Sequence, residues 1–273
     1  NQNWEDLTNA PDYDYNDVNV SVTWGLPLQV DETYLGQPGA SVAQDFSGIF
    51  NAQAGADGLA SFGYGLTVTS ANSGLIDTAT GEAVKLAVTA GGVVEGRTET
   101  GNALVFTLSV DAAGKVTLVQ SRAIVHNPEA GPDQAATLAH NLIKLTATIV
   151  DGDRDQASAS VDLGGQIIFR DDAPRVGTNA TVQLDDDALA GGIAGGPNGT
   201  DDVDPVNASV ILSHNFGADG AGSVSLLDTG APAGFTYQVS GTDLLVKQGA
   251  TTVLTVTVNS ATGAYTVTQN API

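Results

Sequence analysis

The sequence predicts an all-β protein built of antiparallel sandwiches in series, and three observations carry that expectation. Apolar stretches alternate with period two almost throughout, as half-buried strands do. Turn formers punctuate them at hairpin and sandwich spacing, and no segment of useful length shows a capped apolar 3.6 period. Three short phrases also recur in the same order, one module apart. Leu28-Gln-Val-Asp-Glu-Thr-Tyr-Leu-Gly36 returns as Val182-Gln-Leu-Asp-Asp-Asp-Ala-Leu-Ala190, Gly55-Ala-Asp-Gly58 as Gly217-Ala-Asp-Gly220, and Val116-Thr-Leu-Val-Gln120 as Tyr265-Thr-Val-Thr-Gln269. Self-similarity at such a period is the mark of an array of similar units, which more often serves as spacer, scaffold or binder than as enzyme.

Taken in order, residues 1–25 read as the closing segment of an upstream β-domain. Asn3-Trp-Glu-Asp-Leu7 and an acidic loop feed a lone strand, Asp17-Val-Asn-Val-Ser-Val22. Residues 26–174 form a first complete module. Its clearest strands are Lys144-Leu-Thr-Ala-Thr-Ile-Val150, Ser158-Ala-Ser-Val-Asp-Leu163 and Gln166-Ile-Ile-Phe169, and Ala113-Gly114 marks a hairpin turn. Residues 175–273 form a second module with strands at Thr252-Val-Leu-Thr-Val-Thr-Val258 and Ala264-Tyr-Thr-Val-Thr268, turned at Ser240-Gly241, Gln248-Gly249 and Asn259-Ser-Ala-Thr-Gly263. This copy stops just after Gln269, where the first copy continues for several strands. It is expected to be incomplete as it stands, or split, with strands supplied elsewhere in a parent chain. The fold expected of each module is an immunoglobulin-like antiparallel β-sandwich, the modules lying in an elongated arrangement.

Composition narrows the partners. Nine Lys and Arg stand against 31 Asp and Glu, a net charge of −22, which disfavours nucleic acid or an anionic membrane and favours cations. There is no Cys and no Met, so stability must come from packing and from any bound ions. No run approaches the roughly 20 apolar residues of a membrane span.

The chemistry lies in acidic clusters. Asp151-Gly-Asp-Arg-Asp155 sets Asp151, Asp153 and Asp155 at alternate positions, and Asp12-Tyr-Asp-Tyr-Asn-Asp17 does the same with Asp12, Asp14, Asn16 and Asp17. Hard oxygen ligands at this density suit Ca²⁺, which takes six to eight oxygens in irregular geometry. Neither is an EF-hand: the sixth loop position is Gln156 or Asp17 where Gly is required, and the twelfth is Asp162 or Thr23 instead of Glu. At the module junction, Asp171 and Asp172 precede Pro174, and Asp185, Asp186 and Asp187 open the next module. A cation joining these groups would stiffen the linker into a rod, because Pro174 already restricts the chain. The alternative for every cluster is a solvated acidic turn, and for the junction a flexible linker.

Catalysis finds little support. With only His126, His140 and His214, each expected to be a surface or packing residue, nucleophile–base pairs are scarce. Gly-x-Ser-x-Gly, His-Glu-x-x-His and phosphate-loop motifs are absent. The Gly191-Gly-Ile-Ala-Gly-Gly196 stretch lacks the Lys and the strand-to-helix setting and reads as a loop. The chain is expected not to be an enzyme.

Several phrases together carry a family resemblance. Asp151-Gly-Asp, Phe169-Arg-Asp-Asp-Ala-Pro174, Leu184-Asp-Asp-Asp-Ala-Leu-Ala-Gly-Gly192, Phe216-Gly-Ala-Asp-Gly-Ala-Gly222 and Ala264-Tyr-Thr-Val-Thr-Gln-Asn-Ala-Pro-Ile273 resemble the repeat module of large type I secreted RTX adhesins of Gram-negative bacteria. The resemblance spans nearly all of residues 26–273. It implies a calcium-dependent, monomeric fibre segment at the extracellular cell surface. Its partners would be neighbouring domains of the same chain, including a ligand-binding domain held out for attachment and biofilm formation. The Asp-Tyr-Asn-Asp ending at Asp17 resembles the end motif of calcium-associated β-domains near the tips of such proteins. The tandem nonapeptide calcium repeat is absent. A competing expectation is that the chain itself binds a glycan through a calcium-centred loop, Asp12 to Asp17 or Asp201-Asp-Val-Asp204, with Trp4, Tyr13 and Tyr15 as stacking faces.

Overall fold

Alternation of inward apolar and outward polar side chains organises the described residues into strands. The computed structural model describes residues 27–127, 131–192 and 207–273, all-β apart from short 3-10 turns. The chain divides into two compact units. One runs to Ala173 and includes Gly217–Asp219; the other comprises Pro174–Phe216 and Gly220–Ile273.

The described part of the first unit contains β1 (Leu28–Asp31), β2 (Ser41–Asp45), β3 (Leu59–Val68), β4 (Asn72–Ile76), β5 (Ala83–Val88) and β6 (Val94–Thr98). It continues with β7 (Leu104–Val110), β8 (Lys115–Gln120), β9 (Ala135–Thr137), β10 (Ile143–Asp151), β11 (Gln156–Asp162) and β12 (Ile167–Arg170). They form a six-stranded sheet in the order β2-β8-β7-β6-β5-β4 and two three-stranded sheets, β1-β12-β9 and β11-β10-β3. One feature departs from the wholly antiparallel sandwich that the sequence predicts: β1 and β12 pair in parallel, Leu28 opposite Ile167 and Val30 opposite Phe169. A parallel pair cannot be closed by a tight turn, and here almost all the described part of the unit lies between its first and last described strands.

β10 shows how the pattern folds. Ile143, Leu145, Ala147 and Ile149 point inward and are buried, while Thr146 and Thr148 face out and hydrogen-bond across to Ser160 and Ser158 of β11 at 2.8 and 3.0 Å. The core also holds Leu28, Phe106, Leu118, Ile124 and Phe169, with the rings of Phe106 and Phe169 tilted 5.2 Å apart. Each such side chain contributes roughly 1.5–3 kcal/mol by leaving water. Phe106 fits because its β6 neighbour is Gly96, where any Cβ would run into the ring. The expected turn at Ala113-Gly114 closes the β7–β8 hairpin, with Asp111 accepting from the N–H groups of Ala113 and Lys115, both at 2.9 Å.

The second unit holds β13 (Arg175–Val176), β14 (Asn207–Ile211), β15 (His214–Asn215), β16 (Thr236–Ser240), β17 (Asp243–Gln248), β18 (Thr251–Val258) and β19 (Ala264–Gln269). Its main sheet runs β14-β19-β18-β17-β16, antiparallel throughout, and β13 pairs with β15. Among its described residues, Leu244, Val246, Val253, Val258 and Val267 are the buried apolar side chains. No helix of the described residues is long and apolar enough to cross a membrane.

The two units share a lock that the repeated phrases encode. In β8 the alternation turns Gln120 inward, and in β19 it turns Gln269 inward; both are buried. Gln120 Nε2 donates to Glu32 Oε1 at 2.9 Å and to the Arg122 carbonyl at 3.2 Å, while the Ile124 N–H donates to the same Glu32 oxygen at 2.9 Å. In the second unit Gln269 Nε2 donates to Asp186 and to the Ala271 carbonyl, and the Ile273 N–H donates to Asp186 Oδ2 at 3.3 Å. The acid in each case opens a 3-10 turn, Glu32–Tyr34 or Asp186–Ala188, capped by the preceding Asp31 or Asp185. A Gln and a carboxylate from the repeated phrases thus tie a 3-10 turn to the end of a strand in each unit.

Candidate metal centres

Two acidic groups converge in the first unit. β3 and β10 pair antiparallel with Asp151 opposite Leu59, so the loop before β3 meets the turn after β10. That meeting sets Asp57 beside Asp151 and Asp153, with a carboxylate oxygen of each within 4.8 Å of the others. Asp151 is buried, while Asp57 and Asp153 are exposed. The turn is shaped by Arg154 in the left-handed region (φ 84°) and by the Asp155 N–H donating to Asp151 Oδ1 at 2.8 Å. Gly152 is required here, because a Cβ would strike the carbonyl oxygen of Asp57. Asp153 shares a hydrogen bond with Asp151 and lies against its charge, which holds its carboxyl above the ordinary range. Three carboxylates this close repel unless a proton or a cation joins them.

The second group is Asp171, Asp172 and Asp219, again with ligand oxygens within 4.8 Å of one another. Asp171 and Asp172 follow directly from β12, and the Asp171 N–H extends that strand's pairing by donating to the Gln134 carbonyl at 2.8 Å. Asp172 accepts the Ala218 N–H at 3.0 Å, which brings in Asp219. Asp57 and Asp219 occupy the same place in the two Gly-Ala-Asp-Gly phrases, and each supplies one member of a group.

A third group overlaps the second and contains a histidine. Glu32, His126 and Asp171 each bring a ligand atom within 4.8 Å of the other two. Glu32 is 1 % exposed and His126 5 %. Burial pushes the Glu32 carboxyl up to about 8, against the lowering effect of the Ile124 N–H and Gln120 hydrogen bonds, with the nearby Asp219 and Asp171 charges adding to the rise. Burial likewise raises Asp171, opposed by His126 and helped by Asp219 and Asp172.

Of the metal ligands expected from the sequence, Asp151 and Asp153 come together, as do Asp171 and Asp172. Asp155 contributes its backbone N–H to the turn. Asp185 caps a 3-10 turn by accepting the Asp187 N–H at 2.9 Å, and Asp186 is engaged by Gln269 and Ile273; none of Asp185, Asp186 and Asp187 joins a metal-type group among the described residues. Asp12, Asp14, Asn16 and Asp17 lie outside the described residues, as do Asp201 and Asp204. Sequence reasoning passed over Asp57 and Asp219, although their repeated phrase was the available signal. It also passed over Glu32 and His126, whose roles come from burial that composition does not disclose. Of the other histidines, exposed His140 pairs with Asp162 at 3.2 Å and His214 contacts the Leu212 carbonyl at 2.7 Å.

Residues 27–164, just over half of the chain, match a family model described as a domain of unknown function (DUF5801). No curated protein and no solved structure matches the chain.

Proposed function

Since the chain belongs to the DUF5801 family, its role must be argued from its own residues, and we propose that it is a non-enzymatic, calcium-dependent structural segment of a bacterial surface adhesin. In this reading the two units are tandem immunoglobulin-like modules, extracellular at the cell surface, that extend and project a ligand-binding domain of the same chain for attachment and biofilm formation.

The observation that carries the reading is the meeting of Asp57, Asp151 and Asp153, drawn from two separate stretches of chain with Gly152 left bare so that they can approach. A solvated acidic turn needs no such convergence, and all-oxygen donors of this kind suit a hard cation. The Asp171, Asp172 and Asp219 group adds a second collection point. The lock of Gln and carboxylate repeated in both units supports a modular array, and a net charge of −22 favours cation loading over polyanion binding.

The test is thermal unfolding together with small-angle scattering, in millimolar Ca²⁺ and then in excess chelator. A melting temperature that falls on chelation, with an elongated particle that becomes more flexible, is the expected result. An unchanged melting temperature and scattering profile would remove calcium from the account and with it the proposed stiffening.

A further inference from the structure

Glu32, His126 and Asp171 hold a feature that the calcium reading does not use. Each has one buried atom without a hydrogen-bond partner: Glu32 Oε2, His126 Nδ1 and Asp171 Oδ1. Buried polar atoms are nearly always satisfied, because an orphan forfeits its hydration without replacement. Three orphans from three residues whose ligand atoms cluster within 4.8 Å share one remedy, a cation among them.

The orientation of the histidine favours this over a chance cluster. His126 Nε2 lies 3.3 Å from the Phe169 carbonyl, an acceptor only, so the neutral ring carries its proton on Nε2 and leaves the Nδ1 lone pair bare. Fixing the tautomer through a backbone carbonyl on the far nitrogen is the usual arrangement of a metal-ligating histidine. Nδ1 stands 3.6 Å from Asp171 Oδ1. Ligands about 2.0–2.1 Å from a tetrahedral ion are separated from one another by roughly 3.3 Å, close to that spacing. Glu32 is held for the task as well, since Gln120 and Ile124 both donate to Oε1, leaving Oε2 uncommitted.

We infer that Glu32, His126 and Asp171 form a buried site for a first-row divalent transition ion of the zinc class. Imidazole with two carboxylates suits such ions, whereas Ca²⁺ takes oxygen donors. Asp171 also belongs to the group with Asp172 and Asp219. The inference does not rest on the calcium reading: it stands or falls on a different ion.

The full chain, stripped with chelator and returned to saturating Ca²⁺, is titrated with Zn²⁺ by calorimetry, and the metal retained after dialysis is counted by elemental analysis. One zinc per chain is expected in the wild type. His126→Ala and Glu32→Gln are each expected to weaken that binding roughly a hundredfold or more, while His140→Ala and His214→Ala leave it in place. The calcium-dependent melting shift of all four variants should match the wild type. Glu32→Gln retains an oxygen for Gln120 and Ile124, so it decides the matter if His126→Ala fails to fold, as judged by circular dichroism. Absence of retained zinc in the wild type overturns the site and makes the cluster a proton-sharing group. Zinc binding undiminished in Glu32→Gln overturns it equally.

Discussion

Replacing Arg122 by Met removes the guanidinium that pairs with a fully buried carboxylate. Asp77 is 0 % exposed, and its two oxygens accept from Arg122 Nε at 2.7 Å and Nη2 at 2.9 Å, with Thr80 donating its N–H and hydroxyl at 3.0 and 2.7 Å. Met retains the aliphatic stem, so the loss is electrostatic. The smallest expected effect is one charge-assisted hydrogen bond, about 1.5 kcal/mol. The largest is set by escape through protonation, since neutralising an ordinary carboxyl at pH 7 costs about 4 kcal/mol. Because the Thr80 donors remain, we expect about 2–4 kcal/mol, or a fall of roughly 5–10 °C in the melting temperature of the first unit. The pH dependence identifies the cause. Arg122 hydrogen bonds hold the Asp77 carboxyl below its ordinary value, so in the wild type its contribution is present above the unfolded value and is lost as pH falls through the folded one. Without the guanidinium, burial raises the same carboxyl, and its cost above the unfolded value fades on acidification. The gap between the two proteins should therefore be widest at neutral pH and close below about pH 4. Urea denaturation of both proteins at several pH values measures it. A gap under about 1 kcal/mol at pH 7, or one that persists unchanged at pH 3, would refute the reasoning.

The remaining predictions concern the acidic groups and the core. Gly152→Ala would push the Asp57 carbonyl away from the β10–β11 turn; a stability loss of about 1–3 kcal/mol and calcium binding weakened roughly tenfold are expected by calorimetry, and unchanged affinity would count against that group as a ligand set. Phe169→Ala opens a cavity beside Phe106 and should cost about 3–5 kcal/mol in urea denaturation of the first unit, with a value under 1 kcal/mol showing that the rings are not the keystone of this core. Glu32→Asp places in the first unit the carboxylate that the second already uses at Asp186; its melting temperature should change little while zinc affinity falls roughly a hundredfold, and retained zinc would show that Glu32 Oε2 is not a ligand.

What the sequence disclosed was whatever depends on local alternation. Lys144 to Val150 was expected as a strand and lies within β10, and Thr252 to Val258 lies within β18, because period two is set by the backbone and needs no knowledge of partners. Pairing is different. The parallel alignment of β1 with β12 joins strands from opposite ends of the described part of the unit, and no short-range signal in Leu28 to Asp31 distinguishes it from one more antiparallel strand. At the sites, Asp151 and Asp153 were legible because they are adjacent in sequence. Asp57 was not, since it reaches them only through the register of β3 on β10. His126 was expected to be a packing or surface residue; it is buried, and what marks it out is the direction of each ring nitrogen, which only the fold determines.

The repeated lock shows how one methylene group can separate structure from chemistry. Both units use a carboxylate after a capping Asp to hold an inward Gln and a backbone N–H four residues beyond it. In the second unit the acid is Asp186, which spends one oxygen on Gln269 and the other on Ile273, so both oxygens are occupied. In the first unit the longer Glu32 reaches far enough for one oxygen to accept both donors, and the other is left over. A spare buried carboxylate oxygen is a cost that the lock itself does not require, because Asp at this position already suffices for it. The first unit therefore carries a group in excess of its structural need, at the place where His126 and Asp171 each present another.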